Sequence, residues 1–316
     1  MKIKVVSIVG PTASSKTELS IHIAKRFSGE IVSADSMQVY KNLNIGSAKP
    51  SPAQLSEVAH HMISIISPEK YFNVQDYVTL ASRIIADINS RKKLPIIVGG
   101  TGLYIDSLLQ NVRFSDAGAN FKLREELFGK DKETLYAELV CIDPEYAAKL
   151  HPNNVKRVVR ALEIYRLTGD TPGQQAEKSK QTESPYDVLY LGLNFSDRQR
   201  LYRRIDRRVD NMLETGLVQE AKQVLSENMP TASQAIGYKE LKPYFAGEID
   251  LCCAADSIKQ NTRRYAKRQL TWFGRNKNIN WLHLDDFDDF CALKKAAVKL
   301  VEDRNFYLTG EESSPI

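Results

Sequence analysis

The sequence predicts an α/β fold: a doubly wound parallel sheet carrying a phosphate-binding loop, with an all-helical subdomain inserted into it. Three observations predict it. Residues 1–111 alternate short apolar runs with helical periodicity. The segment VVSIVGPTASSKT at 5–17 places a small-residue loop and Lys-Thr between an apolar run and a helical pattern. From 112 to 187 strand patterns vanish and helical spacing dominates. A length of 316 residues fits about two domains, here a core at 1–111 and 188–316 interrupted by the insert at 112–187.

Val5, Val6, Ile8 and Val9 read as a buried strand entering a loop at Gly10-Pro11, and Leu19, Ile23 and Phe27 mark one face of the helix that follows. Backbone amides of Gly10, Pro11, Thr12, Ala13, Ser14, Ser15, Lys16 and Thr17 (proline aside) and the helix N-terminus would bind anionic oxygens. Lys16 would add charge, and the Thr17 hydroxyl would hold Mg²⁺. The usual pattern G-x-x-x-x-G-K-[ST] asks for glycine at position 15, and the chain has Ser15. A serine forced into the left-handed region costs roughly 1–2 kcal/mol, and its hydroxymethyl group would crowd a ligand. Taken alone, the segment also fits a strand–turn–helix in which Ser14, Ser15 and Thr17 only cap the helix.

Glu30 to Ala34 predicts a second strand with Asp35 at its carboxyl end, where open parallel sheets place ligand-binding residues. Val74, Val78, Ala81, Ile85 and Ile88 keep helical spacing, and Leu94 to Val98 is a buried strand ending in the tight turn Gly99-Gly100-Thr101-Gly102. Right-handed connections would bring Gly10–Thr17, Asp35–Tyr40 and Gly99–Thr101 to one sheet edge. The insert is bounded by Ser115-Asp116-Ala117-Gly118 and the polar stretch Lys178 to Pro185. A strand returns at Val188–Leu193, and Ser196 with Gln199 resembles a capping box opening an arginine-rich helix. Helices fill most of the remainder. The acids at 285, 286, 288 and 289 read as solvated surface, and Gly310–Ile316 as a frayed tail.

The net charge is a modest +5, but the cations cluster. Arg198, Arg200, Arg203, Arg204, Arg207 and Arg208 are opposed within their window only by Asp206, and Lys259–Lys277 carries seven basic residues and no acid. In NNVKRVVRALEIY, Val155, Val158, Val159, Leu162 and Tyr165 share one side, with Lys156, Arg157 and Arg160 opposite. In QNTRRYAKRQLTWFGRN, Arg264, Lys267, Arg268 and Arg275 fall on one arc, with Tyr265, Ala266, Leu270, Trp272 and Phe273 on another. Unneutralised basic faces beside aromatics point to a polyanion such as nucleic acid. No apolar run approaches the roughly 18 residues of a membrane span, and Met1–Lys4 leave no room for a signal peptide. Cys141, Cys252, Cys253 and Cys291 lack metal-ligand spacing and read as reduced structural thiols of a cytoplasmic protein.

Six blocks occur in order: GPTASSKT at 10–17, DSMQVYKNLNIGSAKPS at 35–51, PIIVGGTGLYIDSLL at 95–109, HPNNVKRVVRALEIY at 151–165, QAIGYKEL at 234–241 and RRYAKRQLTWF at 263–273. On them the chain resembles the tRNA dimethylallyltransferases, or tRNA isopentenyltransferases, over nearly its whole length. It is similar to the bacterial type, without the zinc-finger extension of eukaryotic relatives. The departure is Ser15, normally glycine.

The resemblance implies a nucleoside-kinase-like P-loop core with an inserted helical subdomain that binds the tRNA anticodon arm. It implies transfer of a dimethylallyl group from dimethylallyl diphosphate to N6 of the adenine 3′ of the anticodon, with Mg²⁺ and no obligatory protein partner. On this reading Asp35 is the general base. Arg204 would contact the diphosphate, with Arg208 as the second choice, and Thr12 would contact the diphosphate or the ligand near the transferred carbon. Thr101 would help hold the target nucleotide, Gln38 would read a flanking base edge, Met37 would line its stacking surface, and Ser36 would join them in binding the tRNA. Lys122, Lys156, Arg157, Arg160, Arg264 and Arg268 would grip the RNA, whose target adenine must be flipped out of its stack. Rival readings are a P-loop small-molecule kinase, a catalytically impaired tRNA-binding paralogue, and a transferase acting on free adenine nucleotide.

Overall fold

The computed structural model of the chain describes residues 2–112, 118, 120–180, 183–226, 229 and 231–306. Ser115-Asp116-Ala117, part of the stretch between Lys178 and Pro185, and the tail at 310–316 lie outside the described residues. The chain forms two compact units, Met1–Leu109 with Pro185–Ile316, and Gln110–Ser184.

The first unit is built on a six-stranded sheet of β1 (Ile3–Val9), β2 (Gly29–Ser33), β3 (His60–His61), β4 (Leu94–Val98), β5 (Tyr186–Asn194) and β6 (Ile279–His283), in the order β3-β2-β4-β1-β5-β6. Every pairing is parallel. The helices in chain order are α1 (Lys16–Arg26), α2 (Pro52–Glu57), α3 (Val74–Ser90), α4 (Gly102–Leu109), α5 (Phe121–Phe128), α6 (Lys132–Ile142), α7 (Pro144–Ala147), α8 (Val155–Thr168), α9 (Pro172–Lys180), α10 (Arg198–Glu214), α11 (Leu217–Ser226), α12 (Lys242–Phe245), α13 (Leu251–Phe273) and α14 (Phe290–Asp303).

Strand periodicity assigns the two faces of the sheet. Val6 and Ile8 of β1 pack with Leu19 and Ile23 of α1 and with Leu293, Ala297 and Val301 of α14. Val5 and Val9 point the other way, into Tyr77, Ala81, Ile85 and Ile88 of α3, Ile105 and Leu108 of α4, and Phe273 of α13. Helices cover both faces, so a parallel sheet of nearly continuous apolar strands is buried. Each fully buried leucine or isoleucine here contributes about 1.5–3 kcal/mol.

Because β4 lies between β1 and β2, the loops that leave β1, β2 and β4 emerge side by side at one edge. Helix α10 buries Leu201, Ile205 and Val209 at i, i+4 and i+8, which leaves Arg203, Arg204 and Arg207 exposed and Arg208 half-buried. In the second unit, Leu127, Leu135, Leu139, Leu150, Val158 and Leu162 form a separate core.

Several local expectations are corrected. Tyr186 and Asp187 belong to β5 rather than to the insert, because they continue its pairing with β1 at Ile3 and Lys4. Helix α10 is capped by Asp197, which accepts from the Gln199 amide, and not by Ser196. Ser196 instead donates its amide to Asp285 and its hydroxyl to Asp286. Asp289 caps α14, so the acidic run, solvent-exposed apart from half-buried Asp285, also anchors two helix starts. Strands β3 and β6 escaped the sequence reading: one is two residues long, and the other is a short run interrupted by Asn280 and His283. All four cysteines are exposed rather than packed.

Candidate active site

The phosphate loop leaves β1 at Gly10, whose φ of +140° and close approach to the Leu193 carbonyl, 2.2 Å from where a Cβ would stand, exclude other residues. Ala13 and Ser15 are both left-handed, with φ of 63° and 62°. Ser15 therefore does hold the strained conformation expected of it. The loop is tied internally by the Ser14 hydroxyl, which donates to the Pro11 carbonyl at 2.8 Å. Ser15 makes no side-chain cap bond to α1, so the amides that open this helix are not consumed by it.

Lys16 Nζ donates to the Pro11 carbonyl at 2.6 Å. Burial, then the nearby Arg208 guanidinium, lower the lysine to about 7, with Asp35 pulling the other way. Arg208 is pushed down for the same reason, burial first, again against the attraction of Asp35. These two cations and Asp35 thus feel one another across a shared space. Arg204 reaches the loop directly. Its Nε donates to the Ala13 carbonyl at 2.9 Å, its Nη2 donates to the Ser15 hydroxyl at 2.8 Å, and its guanidinium lies 5.6 Å from the Phe195 ring centroid.

Asp35 follows β2. Its Oδ1 accepts from the amides of Met37 at 2.8 Å and Gln38 at 3.3 Å, a turn that fixes the carboxylate. Among the described residues, Oδ2 accepts no hydrogen bond. The Thr101 hydroxyl accepts from the Ser36 amide at 3.1 Å, tying the β4 turn to this segment. A Cβ on Gly99 would stand 2.1 Å from the Ala34 carbonyl. Gly99→Ala is accordingly expected to cost about 1–3 kcal/mol of stability, seen as a lower urea midpoint with an unchanged slope.

A cavity of about 760 Å³ joins these parts: Thr12 to Thr17, Asp35 to Gln38, Gly99 and Gly100, Arg204, Arg208 and Arg268 all line it. Met37 is on its wall. Gln38 faces it too, but its amide is engaged, accepting from the Ser33 hydroxyl at 2.9 Å and donating to the Ser47 and Ala48 carbonyls. With these bonds the side chain holds the neighbouring loop.

Two residues of α13 were not foreseen. Buried Gln269 accepts from the Thr12 amide at 2.9 Å and donates to the Gly100 carbonyl at 3.0 Å, bridging the two glycine-containing loops. Tyr265 lines the cavity together with Gln269, and burial raises its pKa. Both lie in the block RRYAKRQLTWF, where the basic residues drew attention instead. The block QAIGYKEL also gains a meaning. The Tyr238 hydroxyl donates to Glu220 at 2.8 Å, and Glu220 accepts from the amides of Asn44, Ile45 and Gly46. This fixes the loop that carries Ser47, Ala48 and Lys49 into the cavity wall.

The basic faces are less uniform than expected. Arg263 pairs with Asp206 at 2.5 Å and Lys259 with Asp210 at 2.6 Å, while Arg264 and Arg268 stay exposed without an acidic partner among the described residues. In the second unit, Arg160 pairs with buried Glu163 at 2.6 Å, and Arg124 holds the same carboxylate. Two guanidinium groups thus share one carboxylate, so the cluster keeps a net positive charge while Arg160 is held in place. Tyr165, expected on the apolar side, is exposed. Lys122, Lys156 and Arg157 are exposed.

Among known proteins, the family model described as IPP transferase matches residues 38–277. A tRNA dimethylallyltransferase from Thermoanaerobacter sp. (strain X514) is 45% identical over 321 residues, covering 98% of this chain and 99% of the relative. The solved tRNA isopentenylpyrophosphate transferase of Bacillus halodurans superposes with a TM-score of 0.71 at 41% identity, covering 96% of this chain and 98% of that one. A eukaryotic dimethylallyltransferase, in crystallographic snapshots of its action on tRNA, superposes with a TM-score of 0.82 at 32% identity, covering 98% of this chain and 81% of its own. A P-loop α/β core with this match along its length leaves one assignment: the chain belongs to the IPP transferase family, the tRNA dimethylallyltransferases.

Proposed function

We propose that this protein transfers the dimethylallyl group of dimethylallyl diphosphate to N6 of the adenine 3′-adjacent to the anticodon in tRNA, releasing diphosphate, and that it does so in the cytoplasm. The observation that carries the mechanism is the single cavity in which Lys16, Arg204 and Arg208 surround the phosphate loop while the Asp35 carboxylate shares the same space. Four exposed free cysteines agree with a reducing compartment, and among the described residues no helix is long and apolar enough to cross a membrane.

The exocyclic amine is a weak nucleophile because its lone pair is delocalised into the purine ring. As N6 bonds to C1 of the prenyl group, the C1–O bond breaks and its electron pair leaves on the diphosphate. The loop amides, Lys16 and Arg204 neutralise that charge. Thr12, whose amide is fixed by Gln269, lies beside the scissile oxygen. Asp35, through the Oδ2 left open by its turn, accepts the N6 proton. Thr101 and Ser36 steady the extruded nucleotide, and Met37 offers it an apolar surface.

Mg²⁺ suits the donor set. Thr17 supplies a hard hydroxyl oxygen, and no cluster of three or more His, Cys, Asp or Glu side chains stands among the described residues to cage a metal alone. The ion would therefore take most of its ligands from phosphate and water, and it would add positive charge where the leaving group departs.

Lys122, Lys156, Arg157, Arg264 and Arg268 contact RNA phosphates in this scheme; Arg160 contributes by holding Glu163 in the second unit. Lys156→Ala with Arg157→Ala is expected to weaken tRNA binding and to reduce the slope of log K against log[salt] by about 1–2. A filter-binding series across salt concentrations measures this, and an unchanged slope removes phosphate contacts at these residues. The function itself is tested with labelled dimethylallyl diphosphate and unmodified tRNA. Labelled RNA with equimolar diphosphate is the expected result. Consumption of ATP without RNA would mark a kinase, tRNA binding with no transfer a non-catalytic paralogue, and transfer to free nucleotide a different acceptor.

A further inference from the structure

We propose that Ser15 is a positioning residue for Arg204, setting the guanidinium over the phosphate loop before the diphosphate arrives. The proposal rests on the reading of Arg204 as a contact to the leaving group. The usual glycine at this position would relax the backbone, yet the chain keeps a side chain at φ 62°. Among the described residues that side chain reaches one partner: its hydroxyl accepts from Arg204 Nη2 at 2.8 Å.

Arg204 needs such a partner. It stands on the outward face of α10 and is exposed, and a long exposed side chain samples many rotamers. No carboxylate pairs with it among the described residues. Three contacts fix it instead: the Ala13 carbonyl on Nε, the Ser15 hydroxyl on Nη2, and the Phe195 ring, whose centroid lies 5.6 Å from the guanidinium carbon. The two hydrogen bonds use adjacent donors of the planar fork, so together they set its orientation and not only its distance. A glycine at position 15 would leave Nη2 without this acceptor. Ordering the cation in advance means that the diphosphate meets a preset donor rather than one it must immobilise.

Ser15→Gly, Ser15→Asn, Arg204→Ala and the double variant Ser15→Gly with Arg204→Ala separate this from a merely structural effect. Ser15→Gly should melt no lower than the parent, since strain is relieved, yet lose about five- to tenfold in kcat/KM for dimethylallyl diphosphate. Asparagine tolerates the left-handed region and offers a carbonyl oxygen, so Ser15→Asn should return to within about twofold of the parent. In the Arg204→Ala background, Ser15→Gly should cost nothing further. If Arg204→Ala is impaired but Ser15→Gly matches the parent, the positioning role is wrong while the role of Arg204 stands. A full Ser15→Gly loss in the Arg204→Ala background also overturns it, because Ser15 would then act on something else. If Arg204→Ala itself retains parental kcat/KM, the leaving-group contact fails and this proposal falls with it.

Discussion

Asp35→Asn is expected to lower the saturated rate of prenyl transfer by about 10²–10⁴-fold, with tRNA and dimethylallyl diphosphate affinities within a few-fold of the parent. Asparagine suits the test because its carbonyl oxygen still accepts from the Met37 and Gln38 amides, where Asp35 Oδ1 now does. The turn is kept and only the proton acceptor is lost. Asp35→Ala would remove both, confounding chemistry with the position of Ser36 and Met37. Rapid-quench single-turnover measurements at saturating substrates isolate the chemical step from product release. A parental rate would remove Asp35 from its proposed role.

Lys16→Met should produce the other large loss, about 10²–10³-fold in kcat, because it takes a cation from the place where charge develops. The same lysine gives the site a pH dependence. Burial and Arg208 hold Lys16 at about 7, against 10.5 for an unhindered lysine. A bound diphosphate favours the ammonium, so binding at pH 7–8 takes up a proton and affinity falls as the pH rises. Calorimetric titration in two buffers of different ionisation enthalpy reads that uptake, and identical heats would contradict it.

Folding shows the opposite face of this shift. Between about 7 and 10.5 the unfolded chain binds more protons at Lys16 than the folded one. The cost of the buried ammonium is full below that window and fades as the pH rises through it. Lys16→Met should accordingly melt above the parent near neutrality, and the difference should shrink toward pH 10.

Much of this architecture was readable in the chain because it rests on local signals. The apolar runs of β1, β2 and β4 have the length and β-branching of buried parallel strands, and each ends in a glycine- or aspartate-bearing loop. Those three loops define the cavity, so the sequence order of the motifs translated into one sheet edge. Arg204 was carried by resemblance, and its two bonds to the phosphate loop give it a geometric basis.

What escaped is long-range. Gln269 bonds to Thr12 across 257 positions and to Gly100 across 169; nothing in the local pattern of α13 distinguishes an inward glutamine from any other polar residue. Arg160 looked free because its partner, Glu163, sits on what the periodicity marked as an apolar side. Ser15 looked like a defect because strain is visible in a sequence motif, whereas the arginine that accompanies it, 189 residues away, is not.

The most direct measurement is the structure of the protein with an anticodon stem-loop and an unreactive dimethylallyl diphosphate analogue. The account predicts a purine swung out of the loop with N6 about 3 Å from Asp35 Oδ2, and the two phosphates seated on Lys16 and Arg204. A target base still stacked in the RNA, or an amine facing away from Asp35 with the phosphates properly bound, would contradict it.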